Sequence, residues 1–171
     1  KIKVPGTMGQ CLMLPPDWKE DAPYPYVWYN LGGGLLNIVC CVLMVPLFFV
    51  HSPLWGWIAG ITIFTGVIFG ASNLIPMTMG LPNDGKNCLM CKKERGNQKA
   101  FYVQLKVNAM LSEGIAVKDI PDELLCVGAE IELNPLTCFF RIMEYYKKLQ
   151  NREDAAARQI LYSMEKKKKK L

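Results

Sequence analysis

The chain predicts an all-α membrane protein. Two transmembrane helices form a hairpin, with a short N-terminal extended or β segment before them and a C-terminal cytosolic α-helical domain after them. Three observations carry this. Leu31 to Val50 is twenty residues without a formal charge, and Leu54 to Ala71 is a second, slightly shorter apolar run. At about 1.5 Å rise per residue the first spans roughly 30 Å, one hydrocarbon core. Charge lies elsewhere: from Lys86 onward there are 17 Lys and Arg against 11 Asp and Glu, and before that 3 against 4. Beyond Asp84, apolar residues recur at helical spacing. The expected boundaries are 1–30 for a membrane-surface segment, 31–85 for the two-helix part and 86–171 for the cytoplasmic helical domain.

The first segment, Lys1 to Tyr29, holds five of the eleven prolines. Ile2 to Leu14, broken by Gly6 and Gly9, suits short strands, and Pro15-Pro16-Asp17 suits a turn. Tyr24, Tyr26, Trp28 and Tyr29 gather just before the first apolar run, where amphipathic rings favour the headgroup level. His51-Ser52-Pro53 leaves room only for a tight turn between two antiparallel crossings. Both flanks then lie on one side of the membrane, and the Lys and Arg excess assigns that side, with both ends of this chain, to the cytoplasm. Gly56, Gly60, Gly66 and Gly70 recur at near-helical spacing, which suits close helix packing in lipid; ordinary membrane-helix glycine content explains them equally well.

Four further helices are expected in the charged part. They cover Gln98 to Leu111 (ending at Gly114), Pro121 to Val127, Pro135 to Leu149 and Arg152 to Met164. The Lys166 to Lys170 run reads first as a solvated end and second as a contact for anionic headgroups. Seven cysteines form no framework spacing, and adjacent Cys40 and Cys41 lie inside an apolar run, so reduced thiols are expected. Cys88-Leu-Met-Cys91 is half of a zinc site or a redox pair only if partners join it. No second Cys-x-x-Cys follows, and Cys126 and Cys138 are far apart, so incidental thiols are the favoured reading. The opening Lys1-Ile-Lys-Val-Pro-Gly has no apolar signal core, and the absence of an initial Met suggests a start partway through something larger.

The chemistry concentrates where the second apolar run ends. Asn83-Asp84-Gly85 is by itself a turn signal. Beside a membrane crossing it reads differently, because a carboxylate at the bilayer edge is costly unless it binds a cation or meets water. Asn73 and Pro76 lie one helical turn apart just before it, and Asn37 is a polar residue inside the first crossing. A carboxamide there needs partners, so Asn37 should face protein.

Gly32-Gly-Gly-Leu-Leu-Asn37 resembles the Gly-Pro-x-x-Asn motif of the site-2 protease-like intramembrane zinc metalloproteases, with Gly34 where proline is usual. Asn73-Leu-Ile-Pro76 and Asp84-Gly85 are similar to that family's later Asn-x-x-Pro…Asp-Gly motif, with a longer gap between Pro76 and Asp84. Gly6-Thr-Met-Gly-Gln-Cys-Leu-Met13 resembles the segment that bacterial members carry between the first catalytic helix and the next crossing. The resemblance covers about residues 1–110. It implies a zinc cofactor with Asp84 as its carboxylate ligand, and Asn73, Pro76 and Asn37 holding an extended substrate. The family's His-Glu-x-x-His helix, which carries the other ligands and the general base, has no counterpart in this chain, and the single histidine is His51.

The expected function is therefore that of the C-terminal part of a membrane protease, hydrolysing peptide bonds of membrane-embedded or short hydrophobic peptides once joined to the zinc-binding helix. The alternative is a non-catalytic, protease-derived scaffold that binds a protein partner through its cytosolic helices. A third reading is a two-span anchor carrying an unrelated soluble domain. The expected partners are membrane lipid and a hydrophobic peptide, with no nucleic acid.

Overall fold

The computed structural model describes residues 14–79, 81–125 and 133–168. It is dominated by helices and divides into two compact units. One is Pro25–Lys93; the other joins Glu94–Leu171 to the described part of Lys1–Tyr24. The division thus falls at Tyr24 and Lys93, where composition suggests 30 and 85. The expected N-terminal strands lie mostly outside the described residues. From Leu14 to Tyr24 the chain is extended and turning, without strand. What β structure there is among the described residues comes later, in a two-residue ladder pairing Thr78 with Pro82 and Met79 with Leu81.

In the first unit, α1 (Tyr26–Met44) and α2 (Pro53–Leu74) are long and apolar enough to cross a membrane. The first starts five residues before the charge-free run because Tyr26, Val27, Trp28 and Tyr29 already extend its helix. Pro46 lacks the amide hydrogen that a continuing α-helix needs, and Val45–Phe49 tightens into a 3-10 turn. Pro53 opens α2 at a position where a missing N–H costs nothing. At the other end Pro76 drives Ile75 out of helical geometry, to ψ 119°, and the helix stops.

The register of the two helices is antiparallel and set by small residues. A side chain at Gly34 would collide with Leu74, one at Gly70 with Ile38, and one at Gly66 with Cys41. The absence of a Cβ lets the backbones approach there, which is how helices pack where no hydrophobic force drives them together. Polar side chains within the pair bond to their own backbone. Asn30 donates to the Tyr26 carbonyl at 2.8 Å, Thr65 to Ile61 at 2.8 Å and Ser72 to Phe69 at 3.0 Å. These bonds remove the cost of carrying such groups into an apolar medium. A third helix, α3 (Asp84–Lys93), completes the unit.

The second unit is a conventional helical body. It contains α4 (Arg95–Ser112), a 3-10 turn at Val117–Asp119, α5 (Asp122–Leu125), α6 (Pro135–Gln150) and α7 (Asp154–Lys168). Gly114, at φ +88°, ends α4 as expected, since only glycine adopts that angle without strain. Asn134 caps α6 by accepting from the Leu136 and Thr137 amides, and the Asn134 amide in turn donates to the Thr137 hydroxyl. Val103, Val107, Ile120, Leu125, Leu136 and Phe140 form the core. Lys147 reaches into it, donating to the Ile120 carbonyl and pairing with Asp122 at 2.7 Å.

The N-terminal strap Leu14 to Tyr24 belongs to this body. The Arg95 guanidinium donates to the carbonyls of Lys19, Glu20 and Ala22 at 2.7, 3.1 and 2.5 Å and stacks 4.4 Å from the Trp18 ring centre. Tyr24 is buried against Trp18, Phe101 and Tyr102. It is therefore a core residue and not a member of the aromatic belt expected from sequence; Trp28 remains fully available for that role.

Candidate functional site

The sequence places its chemistry at the end of α2, and the fold makes a corner there. Asn83 is its centre. The Asn83 Nδ2 donates to the Ser72 and Ile75 carbonyls, both at 2.6 Å, which α2 leaves unpaired at its C-terminus. Its Oδ1 accepts from the Met77 amide at 2.9 Å and from the Lys86 amide at 3.0 Å. The second of these is an N-cap bond to α3. The Asn83 main chain joins in as well, donating to Met77 at 3.1 Å and accepting from Asn87 at 2.9 Å. Both donors and both acceptor positions of the carboxamide are thus used. Read alone, Asn83-Asp84-Gly85 is a turn; in three dimensions it is a helix start that also closes the helix before it.

Gly85 shows how tight this corner is. A Cβ there would overlap the Leu74 carbonyl and lie 3.1 Å from the main-chain carbonyl oxygen of Asn73. The start of α3 is thereby pressed against the last turn of α2. Asp84, in the first turn of α3, is half-buried, and among the described residues it has no ion pair. Loss of water raises its carboxyl above the usual carboxylate range. The position at the start of α3 favours negative charge, whereas the abutting carbonyl end of α2 disfavours it. A cation or a proton resolves that conflict.

The four residues expected to form the site are only partly gathered. The main-chain carbonyl of Asn73 lies against Gly85, the residue after Asp84. Pro76 follows directly and is exposed to solvent. Asn37 sits deeper: its carbonyl faces Gly66, seven residues or about 10 Å along α2 from Asn73. The corner therefore holds Asn73, Pro76 and Asp84, with Asn37 about two turns away along the helix pair.

Asn83 and Asn87 are the residues that sequence reasoning missed. Asn87, one turn after Asp84 on α3, has its side-chain oxygen buried with no hydrogen-bond partner among the described residues. The available signal was the run of polar residues Asn83, Asp84, Lys86 and Asn87 around a single glycine, which suits a helix start as well as a loop.

Among the described residues no group of three or more His, Cys, Asp and Glu side chains could hold a metal ion. The donors of the corner thus do not make a zinc site, and Asp84 offers one carboxylate alone. Cys88 and Cys91 do not supply the deficit. Burial raises both thiols above the ordinary cysteine value, Cys91 to about 12, so neither is activated as a nucleophile by its own surroundings, and with Asp84 they form no three-donor group among the described residues. Cys138 is likewise raised by burial, and Cys126 lies outside the described residues. His51 is exposed in the turn at the opposite end of the helix pair.

Comparison of the chain with protein-family models, curated proteins and solved structures finds no match in any of the three.

Proposed function

We propose that this chain is the membrane-embedded C-terminal portion of an intramembrane metalloprotease of the site-2 type. In this reading α1 and α2 cross the bilayer as a hairpin and the helical body lies in the cytoplasm. The observation that carries the proposal is the corner at the end of α2. A half-buried carboxyl with no ion pair among the described residues follows a saturated asparagine that ties it to helix-terminal carbonyls, close to exposed Pro76. Stability alone does not favour such an arrangement, and buried uncompensated carboxyls cluster where function needs them. In this reading Asp84 would be the one carboxylate that this portion offers to a zinc ion, and the other ligands and the general base would have to come from a His-Glu-x-x-His helix that this sequence does not contain. Zinc would supply Lewis acidity and an acidified water. Asn73 and Pro76 border the path of an unwound peptide, and Asn37 contacts it deeper in the membrane.

The test uses the protein extended upstream of Lys1, purified with lipid, with bound zinc and cleavage of a hydrophobic peptide as readouts. Asp84→Ala is expected to lower zinc occupancy and abolish cleavage while the protein stays in the membrane. Full occupancy and full cleavage in that variant would remove the assignment.

A second reading is a non-catalytic, protease-derived scaffold whose helical body binds a protein. The coding sequence upstream of Lys1 separates the two. A His-Glu-x-x-His helix there supports the enzyme, and a degenerate one supports the scaffold.

A further inference from the structure

Helix α3 carries two thiols that the protease reading does not use. Cys88 and Cys91 are three residues apart, and the helix brings them to one side, about one turn apart. Cys91 is fully buried and Cys88 half-buried. They are near enough for a charge on Cys88 to disfavour one on Cys91. The Tyr26 phenol, at the start of α1, lies within electrostatic reach of both, and Lys92 favours negative charge at Cys88. All four residues belong to the first unit. The pair thus has one sulfur shielded from water, one at the way in, and a cation beside it.

We propose that Cys88 and Cys91 form a two-coordinate site for copper(I). The donor set selects the metal. Zinc takes four ligands, or three and a water, and no group of three His, Cys, Asp or Glu exists among the described residues. Copper(I) is soft, prefers thiolate sulfur, and is satisfied by two such donors on opposite sides. At about 2.3 Å per metal–sulfur bond, those sulfurs stand roughly 4.6 Å apart, within reach of two cysteines one helical turn apart. One copper(I) ion and two thiols give a bis-thiolate complex of net charge −1 and release two protons. Burial disfavours a bare thiolate at either position, and the charge of the bound ion removes that cost. Lys92 then offsets the charge that remains. The site depends on neither membrane crossing nor protease activity.

The test uses the whole chain in detergent, without oxygen, loaded with copper(I) generated by ascorbate. The loaded chain is then challenged with bathocuproine disulfonate as competing chelator. One copper per chain is expected to be retained, and X-ray absorption at the copper edge should show two sulfur neighbours. Cys88→Ser, at the half-buried position, should weaken retention by more than the roughly hundredfold that loss of a merely supporting group costs. Cys91→Ser should do the same. Met90→Leu changes a buried neighbour at similar volume and should leave retention as it was, which separates loss of a ligand from disturbed packing. Cys11→Ala, Cys40→Ala, Cys41→Ala, Cys126→Ala and Cys138→Ala combined should also leave one copper per chain. Retention that survives Cys88→Ser and Cys91→Ser together overturns the site, as does complete loss of copper to the chelator from the unaltered chain. Three or more sulfur neighbours at the copper edge would overturn the two-thiolate geometry.

Discussion

The two units of this chain use the same residue types to opposite ends. In Pro25–Lys93 the large side chains point away from the protein: Phe49 is 78% exposed and Trp57 73%. In the other unit Phe140 is 2% exposed and Val107 is fully buried. The helical body gains stability by withdrawing apolar surface from water, about 2–3 kcal/mol for a side chain the size of Phe140. The α1–α2 pair leaves that surface outside and brings glycines together instead. Such a helix pair suits a medium that is itself apolar, where close packing and satisfied backbone groups count for more than burial. Polar groups differ in the same way. The body sets Lys147 against Asp122, whereas Asp84 of the first unit is half-buried with no ion pair among the described residues.

That contrast can be broken at specific positions. The largest effect is expected at Gly85, whose Cβ has no room against Leu74. Gly85→Val should separate α3 from the end of α2, at a cost of roughly 3 kcal/mol or more. Limited proteolysis between Leu74 and Asp84 would detect it, and unchanged cleavage there would disprove the tight corner. Phe140→Ala should cost the helical body about 3–5 kcal/mol by leaving a cavity. Chemical denaturation followed by a probe in that body should report this loss, while carbonate extraction of the chain stays as before.

Asn83→Asp is a sharper probe because it conserves shape. It replaces two donated hydrogen bonds by an oxygen facing the Ser72 and Ile75 carbonyls, so a loss of roughly 2–3 kcal/mol is expected. Faster amide exchange at Met77 and Lys86 would locate the damage.

Asp84→Asn tests the functional reading against the structural one. Its carboxyl is raised by lost solvation, so folding favours the protonated form. That contribution is fully present below the unfolded pKa of about 4 and is lost as pH rises through the higher folded value. At neutral pH the neutral amide should therefore stabilise the corner, and below pH about 4 it should make little difference. Zinc occupancy and cleavage in the extended protein should fall at the same time. Gain of stability with loss of function marks a residue kept for chemistry. The smallest effect belongs to Lys99→Ala. It removes the exposed pair with Glu20 at 3.0 Å and should leave stability unchanged within error.

Most of the helices could be read from the chain, because apolar periodicity and helix punctuation are local signals. Pro53, Pro76, Gly114 and Pro135 each stand where a helix begins or ends. The corner was legible only as a set of parts. Asn73, Pro76 and Asp84 drew attention by residue type, but Asn83 looked like one more turn residue. Its role depends on carbonyls eleven and eight residues back, and a turn signal carries no information about such partners.

Local pattern by itself determined two apolar helices of membrane length, the polar cluster that follows them and the charged helical remainder, since each depends on neighbouring residues alone. Tertiary structure decided that the N-terminal strap packs with the C-terminal body and that Tyr24 is core. It also decided that Asn83 joins two helices and that Asn37 lies about two turns from the corner. Those outcomes depend on which distant groups satisfy one another's hydrogen bonds and fill one another's space, and only the folded chain brings such groups together.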